Sequence, residues 1–252
     1  MRARAGGHSV IRMSNFENRT ALITGASAGL GEALAERLAA RGWRLVLTAR
    51  GEDRLAKVAA RLGARHLAGD VADPAHRKAL VALAEGRLDL LVNNASTLGE
   101  VPLPTLSESD LTVWPRLFDV NVRAPIALAQ EALPQLRERG GAIVNISSDA
   151  ATGPYPTWGN YGATKAALDQ LSNVLGAEEP AVAVWAVDPG EMSTAMLADA
   201  VGAADAAQAD PPSEAAERIA RVVGFRWCAC ERDAPPSGRF AADDYSQIEA
   251  HE

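Results

Sequence analysis

The chain has 252 residues, 48% hydrophobic and 23% charged, enough to bury a core without staples and too apolar for wholesale disorder. A formal net charge of −7 excludes a generally basic surface for nucleic acid or anionic membrane. The only two cysteines, Cys228 and Cys230, are too close to close a useful loop and lack the further ligands of a zinc site. Both read as reduced, in a cytoplasmic protein.

Residues 1–14 show no hydrophobic period and no apolar signal core, and read as a flexible N-terminal tail ahead of one domain over 15–252. No apolar run approaches the roughly eighteen residues of a membrane span. Short β-branched or leucine-rich runs at 20–24, 44–48, 66–68, 88–92, 142–147 and 181–187 predict buried strands. Helical periods fall between them at 30–41, 52–62, 74–85, 121–138 and 161–177. This alternation predicts an α/β fold, a doubly wound parallel sheet of Rossmann type with helices on both faces, because right-handed crossovers return each helix to the sheet. Residues 198–212, rich in Ala, Asp, Gly and Pro, have little to bury, so a mobile lid is expected over 191–212. Ser213 is expected to cap a helix carrying Ile219, Val222 and Val223, and the turn Pro235-Pro236-Ser237-Gly238 leads into a short last strand over 239–242.

Two motifs carry chemistry. The first strand ends in Thr24-Gly25-Ala26-Ser27-Ala28-Gly29-Leu30-Gly31 and runs into a helix, the context in which glycines admit a dinucleotide pyrophosphate to unpaired helix N–H groups. The second is Tyr161-Gly162-Ala163-Thr164-Lys165. With three tyrosines and three lysines in the chain, Tyr-x-x-x-Lys has a chance expectation of roughly 0.04. At i and i+4 on a helix the two share a face, and an ammonium there favours the phenolate, which makes an acid/base pair. His8, His66, His76 and His251 lie far from both motifs, so neither a histidine mechanism nor a metal site is expected.

On these residues the sequence resembles the short-chain dehydrogenase/reductase family in its common form of about 250 residues, with the likeness running from about Thr20 to Gly190. Carried over residue by residue, the resemblance implies a cofactor turn of Gly25, Ser27, Gly29, Leu30 and Gly31, an adenine site framed by Asp70 and Val71, and Asn93-Asn94-Ala95 closing the fourth strand. It further implies that Pro189, Gly190 and Thr194 hold the nicotinamide, with Tyr161 and Lys165 also touching the cofactor. Ser148 would polarise a carbonyl, Tyr161 protonate the alkoxide, and Lys165 lower the phenol pKa while gripping the ribose. Asn121 would hold a water linking Lys165 to solvent. The implied activity is an oxidoreductase interconverting a carbonyl and an alcohol by hydride transfer. The alternatives are a non-redox cyclase or epimerase with retained dinucleotide, and a redox-silent dinucleotide sensor. Two departures stand out: Ser96 replaces the family's usual glycine after Asn-Asn-Ala, and the closing strand is replaced by 225–240.

The second strand ends without a carboxylate and is followed by Arg50, which predicts NADP(H) in preference to NAD(H). Ala28 provides no second basic residue. Met192 and Met196 after the Pro-Gly pair, with Tyr155 and Trp158 opposite and Asp149 and Glu191 near the mouth, predict a fairly bulky, neutral, partly aromatic or alicyclic substrate. The small apolar surface of Ala163, Ala166 and Ala167 beside Leu168 and Leu171 predicts a homodimer or homotetramer paired through the helices at 121–138 and 161–177.

Overall fold

The computed structural model describes residues 18–227 and 236–243; the expected tail, Cys228, Cys230 and Pro235 lie outside them. Seven parallel strands form one sheet in the order β3-β2-β1-β4-β5-β6-β7. They are β1 Thr20–Thr24, β2 Arg44–Thr48, β3 Arg65–His66, β4 Leu88–Asn93, β5 Ala142–Ile146, β6 Ala183–Asp188 and β7 Gly238–Ala241. The helices are α1 Gly29–Ala40, α2 Glu52–Leu62, α3 Pro74–Ala82, α4 Trp114–Phe118, α5 Ala124–Arg139, α6 Gly159–Glu178, α7 Ala195–Val201, α8 Ala203–Ala206 and α9 Pro212–Phe225.

The period-2 alternation of the strands divides the core in two. Ala21, Ile23, Leu45, Leu47, Val92 and Trp185 pack against α1, α2 and α9 on one face. Leu22, Val46, Leu91, Ile143 and Val184 pack against α3 and α5 on the other. Trp185 is fully buried on β6, and its truncation to alanine would cost about 3–5 kcal/mol. At the amino end of the sheet the fully buried Asp89 accepts from Thr20 N–H at 2.8 Å, Arg19 Nη1 at 3.2 Å and Arg139 Nε at 2.9 Å. Removing either arginine would leave this buried charge with a single counter-ion.

Several boundaries differ from the sequence expectation. The expected helix over 121–138 starts at Ala124, because a π turn over Asp119–Arg123 precedes it. Asn121 therefore sits in that turn and does not open a helix. Pro211 and not Ser213 stands at the N-cap of α9, with Pro212 in the first turn, where a missing N–H costs nothing. The third strand stops at His66 although Leu67 and Gly69 still donate to Leu47 and Ala49 carbonyls. The sixth begins at Ala183, since Val182 closes a turn onto Glu179. Short α4 was not expected at all. Within the expected lid, 195–206 holds the short helices α7 and α8. The segment is tied down where Ser193 N–H meets the Asp210 carbonyl at 2.9 Å, and α7 buries none of its residues.

Candidate active site

Parallel strands all end at one edge, and the order reverses between β1 and β4, where a crevice opens. The glycine turn after β1 is clamped to the end of β4. Thr24 Oγ1 accepts from the N–H groups of Asn94 and Ala95, both at 2.9 Å, and Asn94 Nδ2 donates to the Thr24 carbonyl at 2.9 Å. Gly25 has φ +67° and Gly29 φ +58°, left-handed values that only glycine adopts without strain. A Cβ on Gly31 would lie 2.4 Å from the Gly25 carbonyl oxygen, so this glycine is a packing requirement. The helix cap, Ala28, has no side-chain hydrogen bond to the first turn of α1, which leaves its N–H groups to an anion.

The Tyr-Lys pair lies on α6. Tyr161 is 7% exposed; burial pushes its phenol up, hydrogen bonds with Ser96 and Ser148 pull it down, and Asp188 and Asp149 push it up further. Lys165 donates to the Ile146 carbonyl at 2.7 Å and lies 5.4 Å from the Tyr161 ring centroid. Burial lowers its ammonium to about 8, partly offset by Asp169 one turn along the helix. Ser148 Oγ donates to Asp149 Oδ1 at 3.0 Å and accepts from Ala150 N–H at 3.1 Å. A Cβ on Gly162 would fall 2.4 Å from the Ala150 carbonyl oxygen, so glycine lets α6 approach the turn that carries Ser148. Asn121 is 1% exposed; its amide receives Thr97 N–H at 2.9 Å and donates to the Thr97 carbonyl at 2.8 Å and Thr164 Oγ1 at 3.1 Å.

One cleft of about 770 Å³ joins these parts. Among expected residues, Gly25, Ser27, Gly29, Leu30, Arg50, Asp70, Val71, Ala95, Ser148, Tyr161, Lys165, Pro189, Gly190 and Thr194 line it, as do Asp149, Tyr155, Trp158, Glu191, Met192 and Met196. Asn93, Gly31 and Asn121 are absent from the wall. Asn93 turns into the sheet, donating to Asn145 Oδ1 at 2.8 Å, and Asn94 faces the cleft instead. Among the further wall residues that escaped the sequence reading are Ser96, whose Oγ donates to Asn121 Oδ1 at 3.2 Å, Arg54 and Arg116. Arg116 donates to Asp70 Oδ2 at 2.6 Å. Burial raises the Asp70 pKa, but the Ala72 N–H and Arg116 outweigh it and hold the group below its usual range. A 46-residue separation leaves no local signal for that pair. The Ser96 hydroxyl was legible as a departure from the family glycine, though not as a site contact.

Comparison with known proteins bears on the family and the fold. The family model described as short chain dehydrogenase matches residues 19–204. A serine 3-dehydrogenase of Agrobacterium fabrum is 40% identical over 183 residues, covering 69% of this chain and 72% of that one. Among solved structures, a short chain dehydrogenase/reductase from Saccharomyces cerevisiae superposes with a TM-score of 0.82 at 27% identity, covering 92% of this chain and 98% of that one. A Shigella flexneri short chain dehydrogenase complexed with NADP gives 0.81 at 26% identity, covering 92% and 100%.

Proposed function

Since the chain belongs to the short-chain dehydrogenase/reductase family, and is thus an oxidoreductase, we propose that it is an NADP(H)-dependent enzyme interconverting a carbonyl and an alcohol on a fairly bulky, neutral, partly aromatic or alicyclic substrate. The observation that carries the reading is the placement of Tyr161 and Lys165 on α6 together with Ser148 in a cleft continuous with the glycine turn. The residues present fit a dinucleotide: an uncapped first turn of α1, Thr194 against Gly29 of that turn, and Arg50, Arg54 and Lys165 lining the same cleft. Bound there, the nicotinamide supplies or accepts the hydride.

Within this reading Ser148 donates a hydrogen bond to the substrate oxygen as negative charge develops on it. Tyr161 gives that oxygen its proton, or takes it in the reverse direction. The Lys165 ammonium, fixed by the Ile146 carbonyl, stands behind the phenol and grips the ribose. Asn121, held by Thr97 and Thr164, is assigned the water that would link Lys165 to solvent. Trp158 and Met196 pack with Leu98 and Leu103 around Tyr161 and give the substrate an apolar wall.

A panel of ketones and alcohols followed by NADPH absorbance tests the proposal. Bulky neutral carbonyls should turn over, and Tyr161→Phe should lose at least about 100-fold in kcat while still binding dinucleotide. A Tyr161→Phe protein at wild-type rate, or a protein that binds dinucleotide but turns over no carbonyl or alcohol, overturns it.

A further inference from the structure

The seventh strand carries a cation that this mechanism does not use. Arg239 on β7 lies opposite Ala186 of β6, and its guanidinium reaches three segments at once. Nε donates to Asp169 Oδ2 at 2.8 Å; Nη2 donates to the Ser148 carbonyl at 3.2 Å and to Asp188 Oδ2 at 3.3 Å. Each acceptor adjoins a site group. Asp169 is one turn beyond Lys165, Ser148 carries the site hydroxyl, and Asp188 precedes Pro189 while its Oδ1 accepts from Gly190 N–H at 3.1 Å. Asp169 is 6% and Asp188 9% exposed, and Asp169 Oδ1 has no hydrogen-bond partner among the described residues. Buried carboxylates require counter-charge, and a planar five-donor fork spans separate acceptors in a way a compact ammonium does not.

We infer that Arg239 is a positioning residue of the active site, holding Ser148, the α6 turn after Lys165 and the Asp188–Gly190 bend in one arrangement from β7. The inference rests on the roles proposed above for Ser148, Tyr161 and Lys165. The charged and titratable groups around Lys165 and Tyr161 are Asp169 on α6, Asp149 in the turn after β5, Asp188 at the end of β6 and Arg239 on β7. Asp169 favours the Lys165 ammonium, whereas Asp188 and Asp149 disfavour the Tyr161 phenolate. Arg239 is ion-paired with Asp169 and Asp188 and damps both influences. Taking the guanidinium away leaves Asp169 free to hold the Lys165 proton more tightly; neutralising Asp169 releases that proton more readily.

The chain has three lysines, Lys57, Lys78 and Lys165, so nitrogen-15 NMR of lysine side chains resolves the Lys165 titration directly. Full-length Arg239→Met, Arg239→Lys and Asp169→Asn proteins are compared with wild type and Tyr161→Phe. Arg239→Met should move the Lys165 titration to higher pH and Asp169→Asn to lower pH. Both should lower kcat about tenfold or more with dinucleotide KM within about threefold. Arg239→Lys should restore the titration but not kcat. Unchanged titration and kcat in Arg239→Met and Asp169→Asn overturns the inference, and so do shifts in the same direction, which mean simple loosening. Should Arg239→Met fail to fold, Asp169→Asn without a downward shift is enough to overturn it. A Tyr161→Phe protein at wild-type rate would sink the catalytic reading, leaving the NMR titrations to judge Arg239 alone.

Discussion

Lys165 is 2% exposed, and its ammonium falls to about 8 from an ordinary 10.5, a difference of roughly 3 kcal/mol. The unfolded chain holds that proton more tightly than the fold does. At neutral pH the fold therefore carries the full penalty, and stability from this group recovers as the pH rises from about 8 towards 10.5. Lys165→Met should accordingly raise Tm at pH 7 by about 4–8 °C, from about 2 kcal/mol, while abolishing turnover. Melting curves at pH 7 and pH 10 check this: the gain should shrink at the higher pH, and a lower Tm at pH 7 would count against a strained ammonium. The other end of the cleft tests the cofactor. Arg50→Ala should cut kcat/KM for NADPH about 10- to 100-fold and leave NADH within a factor of about two, because only the 2′-phosphate needs the guanidinium. Equal losses with both cofactors would remove Arg50 from that role.

Among the elements, β1, β2 and α2 fall where the hydrophobic pattern puts them, since each is a short run whose period nothing else overrides. The misses have two causes: groups distant in sequence, as at the π turn, and local turn chemistry, as where Val182 closes onto Glu179 and Pro211 caps α9. The π turn at Asp119–Arg123 exists where Asn121 must reach Thr97 and Thr164, 24 and 43 residues away, and π turns often mark functional positions. Within the site, the glycine turn, Ser148, Tyr161 and Lys165 were readable because they sit in local motifs. Arg116 and Arg239 were not, for each finds its carboxylates only after folding. The segment over α7 and α8 is the element whose behaviour matters most for the substrate. Its helices are short and only Ala206 of their residues is buried, Met196, Leu197, Ala198 and Ala200 being half-buried, and a segment with so few fully buried residues opens at low free energy. Hydrogen exchange over 195–206 should be fast in the protein alone and slow at least about tenfold with dinucleotide and substrate. Equal protection in both states would exclude a lid.

At the scale of the whole molecule, the sheet separates stability from chemistry. Asn93, Asn145 and Ser172 form a buried chain of hydrogen bonds at 2.8 Å each that ties β4 and β5 to α6, so the helix carrying Tyr161 is referenced to the sheet's centre. The far face of that helix leaves Leu171 37% and Val174 42% exposed, a surface suited to pairing with a second copy; we propose a homodimer or homotetramer built on it and on α5. Light scattering at micromolar concentration should give two or four chains, and Leu171→Glu with Val174→Glu should give one; a wild-type monomer removes the proposal. Among the described residues no helix is long and apolar enough to cross a membrane. The Asp89 cluster has a practical side. It gathers Arg19, Thr20 and Arg139 at the amino end of the sheet, whereas the cleft opens at the carboxyl end, about 13–16 Å away along β1. A handle, surface linker or fused partner joined ahead of Asn18 therefore enters the molecule at the pole facing away from the cleft, which makes that end the natural point for immobilising the enzyme on a support with its mouth open to solution.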